Sequence, residues 1–418
     1  MADGTKIEWT DATWNPITGC AIVSPGCTNC YAMKLAGTRL SHHASREGLT
    51  RDTKAGPVWT GEVRFNPQWL DQPFRWKKPR MIFVCAHGDL FAEGVPDEWI
   101  DQVFAVMALA PKHTFQVLTK RPERMRHYLR DGGLLDRLMG AACRIDSADG
   151  ATWSADICIA GDSGLPLPNV WLGVSVEDQK RADERIPTLL DTPAAIRWIS
   201  AEPLLGAVDI GRWVATAEVT CKQCNRAFWL HDANPCEHMD GGAWTLACPN
   251  CGDCRCKPGW TEADARTLDM MPPADWIDRE VGRFTKVHPT ISVTSLIDWV
   301  VVGGESGPGA RPMHPDWART LRDQCAAADV PVLFKQWGAF APTRISLTEF
   351  WNPATARIGE LVANPNGALE GCPAGPSMRR VGRKYAPGNI TVMRRVGKKS
   401  AGRLLDGIEH NGFPEIRR

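Results

Sequence analysis

The amino-acid sequence predicts an α/β protein, a partial (β/α)6-like barrel of the TIM type carrying an inserted zinc-ribbon-like module. Three observations predict it. Short, apolar, β-branched runs alternate with helical stretches along most of the chain. Nearly every run ends on polar side chains, at the face where such barrels collect their chemistry. One segment breaks this rhythm with a high density of cysteines.

The strands are taken in order. Ala12-Thr-Trp-Asn is a weak first strand, and Met81–Ala86 is a strong second. Thr114–Lys120, Val170–Val176, Ala195–Ser200, Ile297–Gly304 and Val330–Lys335 follow. They are apolar on both faces, as buried parallel strands are. Helical patterns cover Asp97–Ala110, Glu123–Leu129, Asp178–Leu190 and Trp317–Ala328. Residues 135–168, rich in Gly, Asp and Ser, read as a long loop or small excursion. No Gly-x-Gly-x-x-Gly turn follows the first strand, so a dinucleotide-binding sheet lacks its signature. The expected organisation is 1–212 and 291–342 as the two parts of the barrel, 213–290 as the inserted module, and 343–418 as an irregular basic extension.

The chain has 418 residues and a formal net charge of +1, so any nucleic-acid surface must be local. Neither an apolar signal core nor a long apolar run is found, which predicts a cytoplasmic protein with no membrane partner. Fifteen cysteines, clustered at 20–30 and 221–256, point to metal rather than disulfides in a reducing compartment.

Cys20, Cys27 and Cys30 follow the first strand with the spacing C-x6-C-x2-C. Pro25 and Gly26 turn the loop back so that the sulfurs converge. Three thiolates suit a soft metal centre. An iron–sulfur cluster with one open iron, a zinc site completed by a distant ligand, and inert buried cysteines all remain open on spacing alone.

The placement resembles the radical S-adenosylmethionine superfamily, whose cysteine loop follows the first strand of a partial βα barrel. The gap here is longer than that superfamily's C-x3-C-x2-C, and Asn29 stands where an aromatic residue is usual. A wider set of motifs is similar to a phage- and bacteria-associated family distantly related to spore photoproduct lyase. They are Trp14-Asn-Pro, Leu118-Thr-Lys-Arg-Pro-Glu-Arg-Met, Gly173-Val-Ser-Val-Glu, Ser200-Ala-Glu-Pro-Leu-Leu-Gly, Gly303-Gly-Glu-Ser-Gly and Phe334-Lys-Gln-Trp-Gly.

The resemblance implies a [4Fe-4S] cluster on Cys20, Cys27 and Cys30, with S-adenosyl-L-methionine chelating its fourth iron. It implies one-electron cleavage to a 5′-deoxyadenosyl radical, fed by an external reductant such as flavodoxin or ferredoxin. It places Lys120 near the cofactor carboxylate, Ser175 at the cofactor, and Glu202 at a matching acidic-Pro stretch. Glu177 and Glu305 are further candidates for cofactor contacts, with Asp89, Lys335 and Gln336 on the same rim. Lys120 and Arg121 have a plainer reading, as partners of Glu123 or Glu177. Cys85 is a candidate hydrogen-atom donor, since a thiol quenches a substrate radical; its plainer reading is core packing.

In the inserted module, Cys221, Cys224, Cys248 and Cys251 form two C-x2-C knuckles suited to tetrahedral zinc. Cys236, His238, Cys254 and Cys256 are left for a second metal, zinc or an auxiliary cluster. The tail carries Arg379, Arg380, Arg394 and Arg395 in two similar basic stretches, a pattern that grips phosphates or simply lies solvated.

The expected function is therefore a radical enzyme acting on DNA, RNA or a nucleotide, in repair or modification. Two rivals stand beside it. One is a zinc-stabilised nucleic-acid-binding protein without radical chemistry. The other is a phosphate enzyme using Asp89, Glu202 and Glu305 with divalent ions.

Overall fold

A computed structural model describes residues 4–149, 165–214, 218–220, 227–229, 234–237, 244–247, 296–343, 361–363, 369–371 and 391–415. The chain divides into two compact units, one of Met1–Val208, Asp298–Leu321 and Pro331–Arg418, the other of Asp209–Ile297 and Arg322–Val330.

The first unit is built on a seven-stranded sheet. Its strands are β1 (Ala12–Trp14), β2 (Met81–Val84), β3 (Thr114–Thr119), β4 (Val170–Ser175), β5 (Ile196–Ala201), β6 (Trp299–Gly303) and β7 (Val332–Gln336). Every neighbouring pair is parallel and the spatial order follows the chain order. A doubly wound sheet reverses its order at a switch point; this one never reverses. β1 and β7 do not pair, so the barrel is partial.

Helices supply the crossovers that parallel strands require. They include α1 (Tyr31–Ala36), α2 (Asp97–Leu109), α3 (Pro122–Leu129), α4 (Leu134–Asp149), α5 (Gln179–Leu190) and α6 (Pro315–Ala327). Asp178 caps α5 by accepting the Arg181 amide at 3.0 Å. α4 replaces the first half of the expected loop. Leu134, Leu138, Ala141 and Ala142 recur at helical spacing and are buried, and the two alanines pack on Ala105 and Leu109 of α2. The polar residues and Gly140 mask this stripe in the sequence.

Strand alternation gives the sheet two different faces. One carries Ile82, Val84, Phe115, Val117, Leu172, Val174, Val300 and Phe334, all buried. The other carries an aromatic floor of Phe83, Trp171, Trp198 and Trp299, joined by Trp9 from the segment before β1. Trp9 lies 4.7 Å from Phe83 and 5.3 Å from Trp198, ring centre to ring centre. Trp198 lies 5.3 Å from Trp299. Gly173 stands opposite Trp198 in the register, and a Cβ there would lie 2.4 Å from the indole. The absent side chain is what admits the ring.

The tail is more regular than expected. Thr391–Arg395 pairs antiparallel with Phe340–Pro342 and with Leu361–Ala363, which pairs with Leu369–Gly371. A hairpin of Leu404–Leu405 and Ile408–Glu409 follows. Beyond it the chain lies along β7: the Phe334 amide donates to the His410 carbonyl at 2.9 Å, and the Gly412 amide to the Val332 carbonyl at 2.8 Å. This covers a strand edge that would otherwise expose unpaired backbone. Phe413 then stacks on Trp299 at 5.2 Å.

In the second unit, Glu218–Thr220 pairs with Ala227–Trp229, and Asn234–Glu237 pairs with Trp244–Ala247, both antiparallel. Cys236 stands opposite Thr245. Cys221, Cys224, His238, Cys248, Cys251, Cys254 and Cys256 lie outside the described residues, as do Arg379 and Arg380. Among the described residues, no helix is long and apolar enough to cross a membrane.

Two glycines test this packing with opposite signs. Gly173→Ala forces a methyl into Trp198 and is expected to lower stability by about 1–3 kcal/mol in denaturant titration. Gly140→Ala, whose Cβ would meet only Arg144 at 3.6 Å, is expected to raise it by about 0.5–1 kcal/mol. A neutral or stabilising Gly173→Ala contradicts the close approach of the indole.

Candidate metal and cofactor site

The cysteine loop leaves β1 and passes over the C-terminal ends of the strands. Ile17–Thr18 pairs with Arg64–Phe65 and steadies its start. Gly19, at φ +95°, then brings the backbone where a Cβ would lie 2.2 Å from the Glu62 carbonyl. A single 3-10 turn, Pro25–Cys27, folds the loop back, and Cys30 opens α1. All three thiols are free; Cys27 is buried, Cys20 and Cys30 half-buried.

Three charged brackets hold the loop, each from different strand ends. The first is Arg121, just after β3. Its Nη1 donates to Cys20 Sγ at 3.3 Å and to Asp89 Oδ2 at 3.1 Å, and its Nη2 donates to the Ala21 carbonyl at 3.0 Å. Glu93 takes the remaining face, with Nε donating to Oε1 at 3.1 Å. Asp89 is fixed in turn by the Thr119 hydroxyl at 2.7 Å and the Lys120 amide at 3.1 Å.

The second bracket is Glu177, beyond β4. Its Oε2 accepts from Arg185 at 2.7 Å, and its Oε1 accepts from the Ser24 hydroxyl in the loop. A Cβ on Gly26 would lie 2.6 Å from that same Oε1, so the loop backbone rests directly on the carboxylate. The third bracket is Glu305, beyond β6. It accepts from Asn29 Nδ2 at 3.0 Å and from Arg311 at 2.6 and 2.9 Å. Arg311 also donates to the Pro25 carbonyl at 3.0 Å.

Electrostatics follow from this crowding. Burial pushes the Cys20 thiol up to about 12, Asp89 adds to the rise, and Arg121 opposes it. Burial raises Cys30 too, against hydrogen bonds from Met33 and Ala32 and the charge of Lys120. For Glu177, burial works upward, but Lys120, Arg185 and Ser24 outweigh it and hold the carboxyl below the usual range.

The donor set fits a soft metal centre. Three sulfurs share one loop, with Arg121 and Lys120 placed to favour their thiolates. Among the described residues, no three Cys, His, Asp or Glu side chains are close enough to hold one metal ion.

The family model described as a protein of unknown function (DUF5131) matches residues 4–414. The chain belongs to that family. No curated protein and no solved structure matches it. The span matched to DUF5131 takes in the cysteine loop, all three brackets and the strand ends beneath them.

The sequence-predicted residues of this DUF5131 chain separate into two groups. Lys120, Ser175, Glu202 and Lys335 continue the strand face that carries the aromatic floor. Lys120 is half-buried; its ammonium makes no hydrogen bond or ion pair among the described residues, while its amide donates to Asp89 and its charge helps to hold Glu177 low. Glu202 accepts from Lys335 at 2.7 and 2.9 Å, and from Gln336 at 3.4 Å. Glu177 and Glu305 differ from the expected cofactor contacts, since Ser24, Asn29 and their own arginines engage their oxygens and they brace the loop. Arg121 pairs with Asp89 and Glu93 rather than with Glu123 or Glu177. Asp89, Glu202 and Glu305 each face their own cation instead of converging on a divalent ion.

Cys85 follows β2 in a left-handed conformation, φ +54°. It is buried, its thiol is held by the Ile17 backbone, and burial pushes it up to about 12. Arg395 was expected at a phosphate; its guanidinium donates to the Gly307 carbonyl at 2.7 Å and lies over Phe340. Arg394 is also partnered. Sequence reasoning missed Ser24, Glu93, Arg185 and Arg311 as parts of the site. Only the strand-end positions of their partners, Glu177, Arg121 and Glu305, signal them.

A carboxyl whose folded pKa lies below its unfolded value stabilises the fold above that value and ceases to as pH falls through the folded one. The Glu177 bracket is therefore present at neutral pH and lost in acid below about 4.5, its ordinary value. Glu177→Gln should lower the Tm at pH 7, and the gap to wild type should close as thermal scans move below that pH. A gap that persists unchanged in acid would show that the charge of Glu177 holds nothing.

Proposed function

We propose that this protein is a radical S-adenosylmethionine enzyme acting on a nucleic acid or nucleotide, in repair or modification. The single observation that carries the reading is the cysteine loop itself. Three free thiols are bracketed over the C-terminal mouth of a partial parallel barrel, above a face bearing Lys120, whose ammonium makes no ion pair among the described residues.

In this reading Cys20, Cys27 and Cys30 hold a [4Fe-4S] cluster, and Lys120 offers its ammonium to the methionyl carboxylate of S-adenosylmethionine. When bound, that pair supplies one-electron reductive cleavage of a sulfonium, drawing on an external reductant such as flavodoxin or ferredoxin. The protein's own contribution is positional. Arg121, Glu177 and Glu305 keep the loop in place, and the floor of Trp9, Trp171, Trp198 and Trp299 excludes water from below. Ser175 and Glu202 with Lys335 supply polar groups for the cofactor. Cys85, kept protonated, is the candidate hydrogen-atom donor. The module cysteines Cys221, Cys224, Cys248 and Cys251 complete the proposal as a structural zinc site.

Anaerobic purification tests the reading. Wild type should be brown with about four irons per chain, and Cys27→Ser should lose them. With dithionite and S-adenosylmethionine, wild type should release 5′-deoxyadenosine, and Lys120→Ala should raise the S-adenosylmethionine requirement about tenfold or more. A colourless protein carrying zinc alone, and yielding no 5′-deoxyadenosine after iron and sulfide reconstitution, overturns it.

A further inference from the structure

Beside the cysteine loop lies a second set of cations that the proposed chemistry does not use. Arg46 is only 4% exposed. Its Nη1 donates to the Ser45 hydroxyl at 2.6 Å and to the Ser45 carbonyl at 3.2 Å. Its Nη2 meets His87 Nδ1 at 3.0 Å, and its plane lies over the Trp69 ring at 5.8 Å. Its Nε is buried without a hydrogen-bond partner.

What is missing is an acid. Arg121, Arg185 and Arg311 are each neutralised by a carboxylate. Among the described residues, no carboxylate pairs with Arg46, Arg64 or Arg39. A buried charge without a counter-ion is costly. Here like charges gather instead. Burial and Arg64 pull Arg46 down to about 10, and burial, Arg46 and Arg39 pull His87 down to about 4. At neutral pH His87 is uncharged, and its Nδ1 accepts from Arg46. Arg64 is half-buried and donates to the Ala44 carbonyl. Ser45, between them, bonds the exposed His43 at 2.7 Å.

We infer that Arg46, Arg64 and Arg39, with His87, form a binding site for a phosphate-class oxyanion. An anion here would supply the missing counter-charge and an acceptor for the free Arg46 Nε. Guanidinium groups suit tetrahedral oxyanions through paired, charge-assisted hydrogen bonds. The position is informative. His87 follows β2, and its ring meets the edge of Tyr31 at 6.1 Å. Tyr31 directly follows Cys30, its ring exposed and its hydroxyl donating to the Ala86 carbonyl at 2.6 Å. The anion thus sits at the rim of the same mouth, where it would hold the phosphate of a substrate. Its assignment to the substrate rests on the proposed function; the anion site itself does not.

The test uses the full chain without added iron or cofactor, so that it stands or falls apart from the radical reading. Thermal unfolding is followed in inorganic phosphate and in chloride at matched ionic strength. Phosphate should raise the Tm further than chloride. Calorimetric titration with phosphate should show at least about tenfold weaker binding for Arg46→Gln and about threefold for Arg39→Gln, with Arg46→Lys retaining most of it. If Arg46→Gln does not fold, Arg64→Gln at the rim carries the same expected loss. AMP and an oligothymidylate then separate the sources. Equal affinity for both points to a free nucleotide, and tighter, strongly salt-dependent binding of the oligomer points to a polynucleotide. Equal stabilisation by phosphate and chloride, or unaltered binding by all the variants, overturns the site.

Discussion

The position of the cysteine loop depends on buried carboxylates at the ends of separate strands. Asp89, Glu177 and Glu305 each accept bonds from a guanidinium, and each pair also reaches the loop. A loop with one short 3-10 turn has little internal regularity to hold it. Its conformation is instead imposed by charges that are expensive to separate once desolvated. The brackets come from β2 and β3, from β4, and from β6, so the loop is held only when those strands stand in register.

The sheet meets that requirement through its floor. Tryptophans from β4, β5 and β6 meet Trp9 and Phe413, drawn from opposite ends of the chain. Large rings packed edge to face tolerate little sliding, so a shift of one strand would disturb several contacts at once. The aromatic floor and the candidate site thus share one face, with apolar rings below and polar groups above. Alternation along each strand produces this division without further design.

Much of this order was legible in the sequence. Six of the seven strands stand out because parallel strands buried on both faces leave apolar runs, whereas β1, only Ala12–Trp14, leaves a weak one. Lys120, Ser175, Glu202 and Lys335 stand out because they end those runs. The brackets were less legible, because Arg185 and Arg311 look like any solvated arginine until a partner far along the chain is known. Arg311 and Pro25 are separated by 286 residues. α4 was hidden because Gly140 and several polar residues diluted a stripe of small alanines. The segment along β7 was hidden because it joins the sheet through isolated bonds rather than a long apolar strand.

The wide sequence separation of the third bracket bears on synthesis. Cys20, Cys27 and Cys30 leave the ribosome long before Glu305 and Arg311 exist to fix their loop. During that interval the thiols are reachable by oxidants and by stray metal ions. Closure of β6 brings Glu305 and Arg311 to the loop and ends the interval in which that bracket is missing. The frame around the three thiols is in this way complete only once β6 and the residues after it are in place, and a product lacking them would carry the cysteines without that frame.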